Sequence, residues 1–300
     1  MIKLGIIGFS KNNGHPYSFS AIVNGYNRKY FKKVGYKFIL DYLEKQNKKN
    51  FLNKNLKISK SWSKNYNQTK LLAKACKINT IVKNYKELAQ GVKGIIIAKD
   101  DWQNNRTIAK FFLEKKIPIF IDKPLTLKNK DLNFYKKFYD KKLLMSCSGL
   151  RFSNQIDDII KKIKINGKPN LIIGNISNDI EKYSVHLLEV IQKLGYLKVK
   201  SIRKVDTNYE TYLIKLENNI NFLLNCCGKN IRINEMNFFC KKGHFKIEFN
   251  DNFNAFKNTL IAFVDLIKEK KQTIKFNDTQ AVIKTIIKLM KIRDKIKNFN

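Results

Sequence analysis

Several residue types are too scarce here to support the functions they usually mark. Five cysteines form an odd set with no C-x-x-C pair, and Cys226-Cys227 would point to opposite faces of a strand. Free thiols in a reducing cytoplasm are therefore expected, not a disulfide framework. Three histidines, with no clustered cysteines or carboxylates at ligand spacing, predict no metal site. No apolar run approaches the roughly 18 residues of a membrane span, so no membrane partner is expected. Met1–Gly8 is broken by glycine too early for a signal peptide. Without a G-x-S-x-G elbow or a P-loop, hydrolase and nucleoside-triphosphate chemistry have no support. Internal repeats and Pro/Gly/Ser-rich linkers are missing as well.

Acidic residues are also few. The chain has 24 Asp and Glu against 60 Lys and Arg, a formal net charge of +36, and its pI is near 9.9. Such a balance would ordinarily suggest nucleic acid. Arginine, however, is the residue of bidentate base and phosphate readout, and only six of the 60 basic residues are arginine. The 54 lysines are spread through every segment, and Asn and Ile are abundant too, as AT-rich codon bias produces. No nucleic-acid partner is expected, although the field still favours anionic small molecules.

What is present is enough apolar material for a large core: 43% of 300 residues, a length that suits two domains. The first half alternates apolar strands with helical stretches, the pattern of a parallel sheet with crossover helices. Strands are expected at 2–7, 56–62, 94–98, 117–121 and 143–147. Helices are expected from Phe19 to Tyr26 and over 69–76, 105–115 and 130–139. Residues 28–57 form a Lys- and Asn-rich insertion with a weak helix at 38–43. After a helix over 154–165, β-rich runs follow closely at 170–176, 199–206, 209–216, 220–226, 231–240 and 244–249. Asn218-Asn219 and Lys242-Gly243 lie between runs as tight turns, so antiparallel pairing is expected. Helical stripes over 256–267 and 282–290 end the chain. The fold expected is α/β: a Rossmann doubly wound parallel sheet over 1–150, then an α+β domain over 151–300 with an open, mainly antiparallel sheet.

Gly8-Phe9-Ser10-Lys11-Asn12-Asn13-Gly14-His15-Pro16 sits between the first strand and the first helix, where a doubly wound fold cradles a dinucleotide pyrophosphate. Its glycine spacing is not G-x-G-x-x-G, and an ordinary strand-to-helix turn remains the alternative. His15 stands either near the phosphates or as a cap of the loop. After the second strand, Ser61-Trp62-Ser63-Lys64-Asn65 replaces the acid expected on the adenosine ribose. Hydroxyls and a cation there favour NADP over NAD. The string Ile119-Phe120-Ile121-Asp122-Lys123-Pro124 ends a strand with an acid and a lysine at the carboxyl edge, where ligands of open α/β sheets bind. A lysine so placed can share the proton of a substrate hydroxyl.

Asp122-Lys123-Pro124 after Ile117–Ile121 resembles the E/D-K-P signature of the Gfo/Idh/MocA family of NAD(P)-dependent oxidoreductases. Gly94-Ile95-Ile96-Ile97-Ala98-Lys99-Asp100-Asp101 is similar to that family's fourth strand and nicotinamide-side loop. Glu87-Leu88, and Met145-Ser146-Cys147-Ser148 with Arg151, follow the same pattern. The resemblance spans most of residues 1–152 and implies a Rossmann domain followed by a substrate-binding and dimerisation domain. The implied cofactor site comprises Gly8, Phe9, Ser10, Gly14, His15, Ser63, Lys64, Ala98, Asp100, Asp122 and Lys123. Further on, Lys182-Tyr183-Ser184-Val185-His186 resembles the family's D-x-x-x-H helix start, whose histidine is the general acid or base. Lys123, His186 and Tyr183 are thus the implied catalytic residues, Tyr183 lying one helical turn before His186.

Two positions depart from the family pattern: Lys182 stands for the usual aspartate, and Asn105 for a frequent histidine. The function implied is hydride transfer between nicotinamide and a hydroxyl or carbonyl carbon of a sugar, sugar nucleotide or polyol, by a cytoplasmic homodimer or homotetramer. The alternative is a catalytically inactive dinucleotide- or partner-binding protein, which the two departures and the altered glycine loop permit.

Overall fold

The computed structural model describes residues 1–10 and 13–297; Lys11 and Asn12 of the glycine loop lie outside the described residues. Two compact units emerge. The first comprises Met1–Thr126, Lys130–Cys147 and Phe256–Phe276; the second comprises Leu127–Asn129, Ser148–Ala255 and Asn277–Asn300. Among the described residues, no helix is long and apolar enough to cross a membrane.

The first half runs β1 (Ile2–Ile7), α1 (His15–Asn24), α2 (Arg28–Phe31), α3 (Lys37–Glu44), β2 (Leu56–Trp62), α4 (Tyr66–Ala75) and β3 (Thr80–Ile81). It continues with β4 (Gly94–Ile97), α5 (Asn105–Glu114), β5 (Ile119–Asp122), α6 (Asn129–Asp140) and β6 (Leu144–Cys147). The six strands are all parallel in the order β3-β2-β1-β4-β5-β6. Every residue of β4, β5 and β6 is buried, because helices cover both faces of such a sheet; hence the continuous runs of Ile, Leu and Phe. α1 stops at Asn24, short of Tyr26, because Gly25 takes φ +73° and turns the chain out of the helix. Tyr26 packs instead on Phe31 and Phe51, with ring centroids 5.8 and 6.1 Å away. The weak helix of the Lys- and Asn-rich insertion is α3, buried through Ile39, Leu40 and Leu43.

The rest of the chain contains α7 (Gln155–Asn166), β7 (Pro169–Ile176), α8 (Ser184–Lys193), β8 (Val199–Val205), β9 (Glu210–Leu216), β10 (Asn221–Cys226), β11 (Asn234–Cys240) and β12 (Gly243–Glu248). α9 (Asn252–Glu269) and α10 (Phe276–Lys297) close it. The second sheet has the order β12-β11-β7-β10-β9-β8. Four of its five pairings are antiparallel and one, β7 with β10, is parallel, so the sheet is mixed. Both expected tight turns close antiparallel hairpins, β9–β10 around Asn218-Asn219 and β11–β12 around Lys242-Gly243. Burial alternates along β10 and β12, the mark of a sheet with one covered face.

Part of α9 joins the first unit for a packing reason. Phe263 meets Phe120 of β5 (6.0 Å between centroids), and Phe256 meets Phe19 of α1 (5.2 Å). Phe19, Phe120 and Phe263 are buried, and full burial of such a ring is worth about 1.5–3 kcal/mol of transfer free energy; Phe256 is half-buried. Gly94 admits this helix: a Cβ there would lie 2.7 Å from Ile267 Cδ1 and 3.0 Å from Phe263 Cζ.

Candidate active site

In the first unit, β1 lies between β2 and β4, so the strand order reverses beside it and its carboxyl end opens on the crevice used by ligands of doubly wound sheets. The loops after β1, β4 and β5 all leave from that edge. Two side-chain pairs tie them together. Ser10 Oγ donates to the Asp100 carboxylate and accepts the Asp100 backbone N–H at 3.1 Å. His15 Nδ1 stands 2.5 Å from Asp122 Oδ2, its ring edge-on to Phe19 and Phe256 at 5.6 and 5.0 Å. The His15 ring therefore bonds the acid of the Asp122-Lys123-Pro124 string, a role spacing alone did not suggest. Ala98 is fully buried and donates its N–H to the Ile7 carbonyl at 2.7 Å.

Burial singles out two cations. Among the described residues, only Lys99 and Lys123 of the 54 lysines are buried, each 4% exposed. Lysine is almost never buried without a reason. These two follow the carboxyl ends of β4 and β5, the sheet edge where ligands bind. Lys99 pairs with Asp101 Oδ2 at 3.1 Å. The sequence signal for Lys99 is the same as for Lys123, a lysine ending an apolar strand.

The glycine loop departs from the expected backbone cradle. The His15 N–H is accepted by Asn13 Oδ1 at 2.8 Å, Pro16 has no N–H, and the Tyr17 and Ser18 N–H groups return to the Gly14 carbonyl at 3.0 and 3.1 Å. The first donors of α1 are thus occupied by the chain itself. Gly8 and Gly14 serve close packing: a Cβ on Gly8 would meet Pro16 Cγ at 2.7 Å, and one on Gly14 would meet Ile39 Cδ1 at 2.6 Å. Phe9 rests on Tyr17, centroids 5.2 Å apart. The residues still fit a dinucleotide at this edge through side chains. Asn13, 4% exposed, has an amide nitrogen without a hydrogen-bond partner among the described residues. Fully buried Asn105, at the start of α5, has both side-chain polar atoms in that condition. Buried polar groups of this kind call for a partner.

Ser63 does not support the preference for NADP. Its hydroxyl donates to the Asn65 carbonyl at 2.8 Å and shares a 2.6 Å hydrogen bond with Thr69, so it organises the first turn of α4. Of that pair, Lys64 alone is exposed.

In the second unit, α8 begins just after Tyr183. The ring of Tyr183 is edge-on to His186 with centroids 5.4 Å apart, as one-turn spacing requires. Lys182 donates its backbone N–H to Asp179 Oδ1 at 3.0 Å. His186 Nδ1 lies 2.6 Å from Ser148 Oγ. One turn further along α8, Glu189 is 2% exposed and bonds Arg151 Nη1 at 3.0 Å, while Arg151 Nη2 reaches Asp278 at 2.7 Å. Burial pushes the Glu189 carboxyl above the usual carboxylate range, and the Arg151 guanidinium opposes that shift. Among the described residues no cluster of three or more His, Cys, Asp or Glu could hold a metal ion.

No protein-family model and no curated protein sequence matches the chain. Solved structures do. The myo-inositol 2-dehydrogenase of Lactobacillus plantarum superimposes with a TM-score of 0.74 at 14% identity, covering 98% of this chain and 97% of that one. The chain has the fold of a polyol dehydrogenase. The scyllo-inositol dehydrogenase of Lactobacillus casei, solved with NAD(H) and scyllo-inositol bound, gives 0.72 at 14% identity over 97% and 96%. The UDP-N-acetylglucosamine 3-dehydrogenase of Acidithiobacillus ferrooxidans gives 0.70 at 12% over 97% and 96%. At these identities the likeness is one of fold, and it runs the length of both chains.

Proposed function

We propose that this chain is a nicotinamide-dinucleotide-dependent oxidoreductase acting on the CH–OH carbon of a polyol or sugar-type substrate. The observation that carries the reading is the burial of Lys123 at the carboxyl end of β5, within a fold whose solved examples include a dehydrogenase holding NAD(H) and an inositol. The Asp122-Lys123-Pro124 string and its resemblance to the Gfo/Idh/MocA signature point the same way. That resemblance extends the proposal to a cytoplasmic homo-oligomer.

The bound nicotinamide would supply the hydride acceptor or donor. Around it, the loops after β1, β4 and β5 hold the dinucleotide, with the Asn13 and Asn105 amides and the buried Lys99 offering polar contacts from side chains. His15 fixes Asp122, and Asp122 is the residue before Lys123. In the oxidising direction Lys123 Nζ takes the substrate hydroxyl proton, and in the reducing direction it returns one. In the second unit, the resemblance gives His186 the part of a hydroxyl-handling histidine, and Tyr183 orients the His186 ring. NAD(H) is the form expected, since Ser63 is committed to α4.

Fluorescence titration with NADH and NADPH, followed through Trp62 quenching, tests the reading. Saturable micromolar binding with NADH preferred is the expected result. On a polyol and sugar panel, Lys123→Ala should lower turnover by about 10² to 10⁴-fold. Binding of neither cofactor would favour the inactive alternative, to which the occupied N–H groups of α1 are suited.

A further inference from the structure

The 3-10 turn over Gly149–Phe152 meets the helix α8 through the turn's N-cap, Ser148, and through Arg151. The Ser148 hydroxyl lies 2.6 Å from His186 Nδ1, and Arg151 Nη1 lies 3.0 Å from the Glu189 carboxylate. His186 and Glu189 are three residues apart, on one face of α8. That face is thus gripped twice, at His186 by Ser148 and at Glu189 by Arg151. Behind it, Glu189 is locked by Arg151, and Arg151 by Asp278, which also accepts from Gln192 Nε2 at 3.0 Å. The position of the hydroxyl against the imidazole is therefore set by a buried, charged framework.

A serine hydroxyl has one proton and two lone pairs. The Leu150 backbone N–H, 3.2 Å from Ser148 Oγ, can only donate and so takes a lone pair. Ser148 is 0% exposed, and among the described residues the one acceptor its proton reaches is His186 Nδ1. That nitrogen must then be bare, and in the neutral ring the proton resides on Nε2.

We propose that Ser148 is a positioning residue that holds His186 as its Nε2–H tautomer, so that His186 serves the reaction as a hydrogen-bond donor to the substrate oxygen. The role assigned to Nε2 rests on the dehydrogenase reading; the tautomer itself does not. A ring held this way has no lone pair on Nε2 with which to take the hydroxyl proton. His186 can then polarise an oxygen but not deprotonate it. Lys182, four residues before His186, cannot accept a hydrogen bond from the ring, because an ammonium is donor only. The hydroxyl of Ser148 does the orienting in its place, from a different element of the fold.

Long-range ¹H–¹⁵N correlation spectra of the full-length, cofactor-free protein test this. Only three imidazoles are present, His15, His186 and His244, and His186 is assigned by its loss in His186→Gln. At about pH 8.5, above the ordinary histidine range, His186 should show a protonated Nε2 and a bare Nδ1. Ser148→Ala should reduce the Nε2–H to Nδ1–H ratio by about tenfold, the equivalent of one hydrogen bond, and Ser148→Thr should restore it. A proton on Nδ1 in the wild-type protein, or a ratio unmoved by Ser148→Ala, would overturn the proposal. If the alanine variant does not fold, Ser148→Cys, a weaker donor, should lower the ratio in its stead, and a ratio unmoved there would equally overturn the proposal. Because no cofactor is present, a failed NADH titration would sink the dehydrogenase reading and leave the tautomer result untouched.

Discussion

The two units treat polar groups in opposite ways. In the first, the parallel strands β4, β5 and β6 are buried from end to end, so chemistry is confined to where those strands stop. There the sheet gathers Lys99, Asp100, Asp122 and Lys123, with Ser10 and His15 tying the acids to the loop after β1. In the second, burial alternates along the strands, and the buried charges lie off the sheet, between the turn over Gly149–Phe152 and α8. A sheet covered on both faces leaves polar side chains only its ends. A sheet covered on one face does not concentrate them, and the second unit relies on an ion pair to hold its histidine in place.

That contrast can be broken experimentally. The largest effect should come from Arg151→Met. It strands the Glu189 carboxylate in the interior, and removing one partner of a buried pair costs about 3–5 kcal/mol. Denaturant unfolding should show it, and a loss under about 1 kcal/mol would mean the ion pair is not what braces α8.

Next in size is a paired test with one glycine from each sheet. A Cβ on Gly94 would meet the tips of Ile267 and Phe263 on α9, whereas one on Gly174 would meet Leu187 Cδ1 at 2.8 Å and the Phe222 ring of adjacent β10 at 2.9 Å. Overpacking typically costs about 1–3 kcal/mol. Gly174→Ala should be the worse of the two, because a ring anchored in the same sheet yields less than a side-chain tip on a helix. The reverse order in melting temperature would mean that α9 is held more rigidly than α8.

The smallest effect concerns Tyr212, fully buried in β9, whose hydroxyl has no hydrogen-bond partner among the described residues. Burial, assisted by the charge of Glu210, pushes its pKa up to about 12. The unfolded chain ionises near 10, so between about pH 10 and 12 the native state holds a proton that the unfolded state has released. Stability is intact below that window and falls through it by up to about 1.4 kcal/mol per pH unit. Tyr212→Phe should flatten this slope while changing stability at pH 8 by less than about 1 kcal/mol. An unchanged slope would place the alkaline sensitivity in other buried groups, such as the Cys76 thiol, which burial also pushes up.

Much of this architecture was legible in one dimension. Ile95-Ile96-Ile97 and Ile119-Phe120-Ile121 read as strands buried on both faces, and Asn218-Asn219 as a hairpin turn, because those signals are local. Lys123 could be singled out for the same reason: an apolar strand, a lysine and a proline are adjacent in the chain. His15–Asp122 and Ser148–His186 were not legible. Each joins residues far apart in sequence, and nothing near either partner marks the contact. The preference for NADP lacks support for a related reason, since the hydroxyl of Ser63 is taken by Thr69 one turn into α4.

By itself the sequence determined the order of strands and helices, the polar edge after β5 and the division between a parallel and a mainly antiparallel sheet, all of which follow from hydrophobic period and turn residues. Tertiary structure alone decided which two lysines are buried among the described residues, which acid His15 holds and which nitrogen of His186 keeps its proton. Burial and hydrogen-bond geometry are properties of neighbours in space, and the fold chose those neighbours when it brought the ends of separate strands and one face of α8 against turns remote in the chain.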